Sequence, residues 1–179
     1  MPRLEYVGPD ALTGPDAEIA GRIVARRGGT LTPLDRMLLH SPPIADGWND
    51  LLGAVRTGGT LAGDVRELAV LRIAALNGAD YEWHAHEPLG RAAGLDDDDV
   101  AVLRGERGPA ALTPRRAAAL AYTEAMTRDV AVPDEVFAGL REHFDDREIV
   151  ELTVTVGAYN LVSRFLVALQ VGDDRRDAA

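Results

Sequence analysis

The sequence predicts an all-α protein folded as a single-domain helical bundle. Three observations carry this. Apolar residues recur at helical spacing over most of the 179 residues, with Ser, Thr, Asp or Pro opening the segments and Gly closing them. Two segments, residues 68–76 and the run after Asp146, are apolar nearly all round, as expected of a buried helix pair or a large subunit interface. No convincing strand remains. "VELTVTV" alternates like one, but the apolar pattern that it opens runs for more than 20 residues in all, to Val171, without a turn signal, which favours helix.

Each element has its own local reason. Residues 1–15, with Gly8, Pro9, Gly14 and Pro15, form an irregular lead-in. A helix covers Asp16 to Arg26, and a short one follows Pro33 and ends near His40. Ser41 caps a helix that opens on Pro42 and Pro43, where proline is tolerated, and runs to about Arg56 before Gly58 and Gly59. "DVRELAVLRIAALNG" is the buried helix, stopped by Gly78. "ADYEWHAHEPLGRAAG", residues 79–94, gives the next, closed by Gly94. Helices then span Asp97 to Arg104, Pro114 to Arg128 behind Thr113, and Asp134 to His143. The acidic runs "LDDDDV" and "FDDREI" each precede a periodic segment, where aspartate favours a helix start. The last helix runs from about Asp146 to Val171, with Asp145 and Glu148 at capping-box spacing.

Composition narrows the function. A net charge of −10 argues against nucleic acid and anionic membranes as main partners. No uninterrupted apolar run reaches the roughly 18 residues that span a bilayer. The opening "MPRLEYVGPD" has no apolar signal core, so a cytoplasmic protein is expected. The chain has no cysteine, which excludes thiolate nucleophiles, disulfides, dithiol redox cycling and zinc–cysteine sites. Four histidines leave a short inventory of groups that titrate near neutral pH.

Two of the four stand in residues 81–86, Tyr-Glu-Trp-His-Ala-His, beside a tyrosine, a glutamate and a tryptophan. On a helical wheel, Tyr81, Ala85, Leu89 and Ala92 form one stripe, expected to face the core. Glu82 and His86, four apart, stack at its border as an acid–base pair, while His84 lies on the opposite border. Pro88 cannot donate to the His84 carbonyl, so a kink beside His86 is expected. Glu67 stands in the buried helix, where its carboxyl should titrate high unless a cation compensates; Arg72 is a candidate cation. In the last helix Asn160 and Arg164 share a face, with Tyr159 a third polar residue in an apolar setting. His40 is expected to satisfy carbonyls at its helix end. Two ligands, Glu82 and His86, fall short of a metal site, and no metal is expected.

At these residues the sequence resembles the carboxymuconolactone decarboxylase-like superfamily, which includes alkylhydroperoxidase D. The resemblance lies in "ELAVLRIAALNGADYEWHAHEPLGRAAGLDDDDVAVLRG" and in the later "VTVGAYNLVSRFLVAL". The redox branch of that superfamily uses a Glu, a Cys-x2-Cys pair and a His four residues beyond. Glu67 and His86 match the Glu and His, but the cysteine positions hold Ala79 and Glu82. Peroxide reduction by the thiol route is therefore closed. The resemblance instead implies a branch that works without a cofactor, on an all-α subunit assembled into homotrimers or homohexamers. The expected activity is proton transfer on a small carboxylated or lactone-type substrate, as in decarboxylation or lactone opening. His86 would be the proton donor, Glu82 its partner or a second acid, and Glu67 the group that tunes them. Tyr81, Trp83, His84, Asn160 and Arg164 are the candidates to hold the substrate. The competing expectation is a non-catalytic oligomeric binding protein of the same fold, in which the Glu–His pair is only structural.

Overall fold

The structure, a computed structural model, describes residues 1–172. Nine α-helices account for most of these residues, and no strand occurs among them. They are α1 (Pro15–Arg27), α2 (Pro33–Leu38), α3 (Pro42–Gly53), α4 (Gly63–Asn77), α5 (Asp80–Ala92), α6 (Asp97–Arg104), α7 (Pro114–Arg128), α8 (Asp134–Arg141) and α9 (Asp146–Leu169). A π-helical turn, Ala54–Gly58, extends α3, and short 3-10 turns stand at Pro9–Ala11 and Pro109–Ala111.

The chain forms two compact units: residues 1–58 with the described end of the chain from Ala168, and Gly59–Val167. In the first, α1, α2 and α3 enclose Ile23, Met37, Leu39 and Leu52. α2 starts on a capping box in which the Thr32 hydroxyl accepts from the Asp35 amide and the Asp35 carboxylate accepts from Thr32. The same carboxylate pairs with Arg27 at 2.9 Å. The lead-in is held rather than loose. Arg3 N–H donates to the Leu169 carbonyl at 2.9 Å, and Arg36 Nε donates to the Val7 carbonyl at 2.9 Å. His40 Nε2–H donates to the Glu5 carbonyl at 2.7 Å, so it serves this lead-in and not the carbonyls of its own helix.

In the second unit α4 is the axis. Val65, Leu68, Ala69, Val70, Leu71 and Ile73 have no exposed surface, and α5, α6 and α7 pack around them. Burial of each leucine or isoleucine side chain favours folding by about 1.5–3 kcal/mol, so α4 needs no polar face of its own. Caps set the boundaries around it. Gly78 and Gly105 take the left-handed conformation at the ends of α4 and α6. Asp96 and Asp99 form a capping box for α6, and the Thr113 hydroxyl caps α7. Arg116 ties the ends of three helices together, reaching Asp64, the buried Asp99 and the Gly94 carbonyl. Asp145 and Glu148 exchange the two bonds of a capping box at the start of α9.

α9 corrects one expectation: by length and composition it is apolar enough to cross a membrane. Counting uninterrupted apolar residues missed this, because isolated charges such as Glu151 and Arg164 break the run without removing its hydrophobic character. Leu152, Val156, Tyr159, Val162 and Leu166 are buried in the fold.

Two close approaches control this unit. The first is α5 against α4 at Gly90. A Cβ there would stand 3.0 Å from Cδ1 of both Leu71 and Leu95, and 3.6 Å from Cβ of Glu67. The second joins the segment before α4 to α9. The Glu151 carboxylate accepts from the backbone N–H groups of Thr60 and Leu61, each at 2.7 Å, and from the Thr60 hydroxyl at 3.2 Å. The bond from Arg147 comes first among the causes that hold this carboxyl at a pKa of about 2. Gly59 lies so close to it that a Cβ would fall 2.8 Å from Oε2. Gly90→Val is expected to lower unfolding free energy by about 1–3 kcal/mol, read from urea denaturation, since the buried Leu71 and Leu95 must shift to admit the side chain. Glu151→Ala should speed hydrogen exchange at the Thr60 and Leu61 amides while the α4 amides stay protected.

Candidate functional site

The site begins with which face α5 turns to α4. The buried residues of α5 are Glu82, Trp83, His86 and Gly90. The stripe expected to face the core does not: Tyr81 is half-buried, Ala85 and Ala92 are exposed, and Leu89 is 52% exposed. The physical reason is at Gly90 and Trp83. Only a residue without a side chain lets the α5 backbone approach Leu71, and the Trp83 ring buries far more apolar area than two alanines do. Rotating the helix to satisfy both puts the acid–base residues inside and the small apolar ones outside.

His86 then meets α4. Its Nδ1 lies 2.7 Å from Oε2 of Glu67, and the residues are 7% and 3% exposed. Burial pushes the Glu67 carboxyl up. The His86 hydrogen bond and charge, with Arg66 beside it, more than offset that and hold it below the usual carboxylate range. Glu67 is thus an ionised acceptor, and Nδ1 of His86 carries the proton it accepts. The compensating cation expected at Arg72 is instead Arg66, whose Nε lies 3.2 Å from Glu67 Oε1. Arg72 turns to Glu124 and to the Leu103 carbonyl. Edge-to-face packing of the His86 ring on buried Tyr159, with centroids 5.1 Å apart, fixes the ring plane from α9.

The hydrogen-bond partner of His86 therefore comes from the neighbouring helix, where sequence spacing pointed to Glu82. Glu82 is 2% exposed and lies one turn before His86 on the same buried face. α5 continues through Pro88, which stands on its exposed side. His84 points elsewhere: it is exposed, and its Nδ1–H donates to the Asp80 carbonyl at 2.6 Å. Trp83 is a packing residue with a satisfied tip, its Nε1–H donating to Glu87 at 2.7 Å while Arg104 stacks over its ring. His84 and Trp83 line a surface cleft of about 340 Å³ with Asp80, Arg104 and Glu106.

Asn160 and Arg164 are together but not at His86's hydrogen bond. The Asn160 amide donates to Thr127 Oγ1 and the Val156 carbonyl, and accepts from Asn77 at 3.2 Å. Arg164 is exposed and bonds the Asn160 carbonyl and side chain. Sequence reasoning passed over Arg66, Gly90 and the role of Tyr159. Arg66 is adjacent to Glu67, and neighbours in sequence do not share a helix face, so spacing gave no signal. Glycine inside a helical pattern was the signal for Gly90. Among the described residues, no three His, Asp or Glu side chains cluster as metal ligands.

This arrangement has relatives. Residues 42–125 match the carboxymuconolactone decarboxylase family. The uncharacterised protein YdfG of Bacillus subtilis is 27% identical over 106 residues, covering 58% of this chain and 72% of that protein. A protein of unknown function from Agrobacterium tumefaciens, named as a candidate antioxidant defence protein AhpD, is 28% identical with a TM-score of 0.67 over 73% of this chain and 90% of that one. A peroxidase-related protein from Silicibacter sp. TM1040 shares the fold with a TM-score of 0.78 at 18% identity, covering 95% of this chain and 90% of its own. The debrominase Bmp8 shares it with a TM-score of 0.71 at 15% identity, over 88% and 85% of the two chains. The segment that matches the carboxymuconolactone decarboxylase family holds Glu67, Glu82 and His86, and the all-α fold around it is similar to that of alkylhydroperoxidase D-like proteins.

Proposed function

We propose that this protein is a cofactor-independent acid–base enzyme, a decarboxylase or lactone-acting enzyme for a small carboxylated substrate, with His86 as the proton carrier. The observation that supports it is the buried hydrogen bond from His86 Nδ1 to Glu67 at 2.7 Å. A carboxylate on Nδ1 fixes the tautomer and the ring orientation, and stabilises the imidazolium. That leaves Nε2 as the nitrogen to exchange a proton with substrate. In a decarboxylation, the bond to the carboxylate carbon breaks and its electron pair passes into a conjugated carbonyl. His86 Nε2–H then protonates the resulting enolate carbon, and solvent restores the proton. Glu82, on the same buried face, is the second acid for the carbonyl oxygen. Because the chain has no cysteine, it offers no thiol for a peroxidase cycle. Self-association into a trimer or hexamer belongs to the same proposal. The apolar residues left exposed on α5 and α9, Leu89, Val150, Val154 and Leu161, support it.

A second reading is a non-catalytic member that binds without turning over. The enclosure of the site favours it, since Glu67, Glu82 and His86 are each under a tenth exposed. Kinetics separates the two. Screening unsaturated lactone acids should reveal a turnover that falls at least 100-fold in His86→Ala and Glu67→Gln, with circular dichroism unchanged. Turnover indifferent to both substitutions, or none with any such acid, would leave the binding reading standing.

The Glu67 carboxyl also makes a pH prediction. Its folded pKa lies below the ordinary 4.5. A depressed folded value means that the stabilisation is present above the unfolded pKa and is lost as pH falls through the folded one. Wild-type Tm should therefore drop more steeply than that of Glu67→Gln as pH is lowered from about 5 to 3. Parallel curves would mean that Glu67 does not gain its charge stabilisation in the fold.

A further inference from the structure

One charged residue interrupts the apolar run of α4 from Leu68 to Leu76: Arg72. Its side chain is 12% exposed. Nε and Nη2 both reach Oε1 of Glu124, at 2.6 and 2.5 Å, and Nη1 donates to the Leu103 carbonyl at 2.8 Å. A part-buried ion pair of this kind is seldom worth more to stability than apolar residues of the same volume. The arginine therefore calls for a use other than packing.

Arg72 borders a cavity of about 490 Å³ between α4, α6 and α7. Arg107, from the segment after α6, and Arg128, at the end of α7, line the same cavity. Its lining sets these three arginines against one carboxylate, Glu124, in a chain whose net charge is −10. Glu124 already serves two of them, accepting from Arg72 on Oε1 and from Arg128 Nη1 on Oε2 at 3.1 Å. Arg107 bonds Asp98, which lies outside the lining. A guanidinium carries five N–H donors in a fork that matches a carboxylate, and these partners occupy only part of that supply. The other walls are apolar, with Val102 and Leu120 among them. At the C-terminal end of α6, Gly105 holds a φ of +82° and adds no side chain beside Arg72.

We propose that this cavity binds a small organic anion, a carboxylate carried on a compact apolar body. The arginines take the carboxylate and the Val102–Leu120 wall takes the body. The volume is that of a small-ligand site, and the lining sets a cluster of convergent guanidinium groups against an apolar wall. It shares no residue with the Glu67–His86 pair, so the proposal stands apart from the catalytic reading.

The test uses the intact protein and sodium benzoate as probe, followed by amide chemical shifts in low-salt buffer. Saturable shifts are expected around Arg72, Val102, Gly105 and Leu120, weakening as salt is raised. The double variant Arg107→Gln/Arg128→Gln, changed only at side chains about half exposed, should fold normally and bind at least tenfold more weakly. The single variant Arg128→Glu gives a second reading of the same loss. Glu67→Gln should bind as wild type does. Equal affinity for neutral benzamide, affinity unchanged in both arginine variants, or shifts centred on Trp83 and His84 would each overturn the proposal, as would the lack of any saturable shift.

Discussion

The close approach of α5 to α4 is the constraint on which the rest of the site depends. α4 has no polar face to offer solvent, so every neighbouring helix must bring an apolar or self-satisfied surface to it. α5 meets that demand with Gly90 at the contact and with Trp83 and His86 to either side. The geometry that seals Leu71 also delivers an imidazole to the one carboxylate of α4's buried surface. Packing and chemistry are set by one helix rotation.

Burying an ionised carboxylate is costly unless its charge is answered, and here Glu67 and its histidine are held from three helices. Arg66 reaches one Glu67 oxygen, His86 the other, and Tyr159 of α9 closes the edge of the imidazole ring. The arginines of this acidic chain act elsewhere as internal pins too. Arg116 gathers Asp64, Asp99 and the Gly94 carbonyl, and Arg115 holds Glu148 at the start of α9. The net charge of −10 is thus answered in part at helix junctions, where half-buried arginines meet buried carboxylates such as Asp99 and Glu67.

What was legible in the sequence divides by range. α6 and α7 run from Asp97 to Arg104 and from Pro114 to Arg128, as read from their caps, because Asp96–Asp99, Gly105 and Thr113 act within a few residues. The buried character of α4 was equally plain, since residues that are apolar on every side need no partner to be identified. The rotation of α5 was not legible. Counting Ala85, Leu89 and Ala92 as a core stripe weighs residue types, whereas the outcome turns on Leu71 and Leu95, which meet Gly90 only in three dimensions. The histidine's hydrogen bond has the same cause. Sequence spacing offered a carboxylate four residues away, and the fold supplies one 19 residues away across the Gly78 turn.

Gly90 also limits how the site can move. With the leucine methyls already at the distance where a Cβ would clash, α5 has no slack in the direction of α4. A domain that cannot compress can still shear. What freedom α5 keeps at this contact therefore lies along or about its own axis rather than toward Leu71. Such a joint behaves as a stop rather than a spring: it sets the depth of the histidine, while Glu67 and Tyr159 hold its heading.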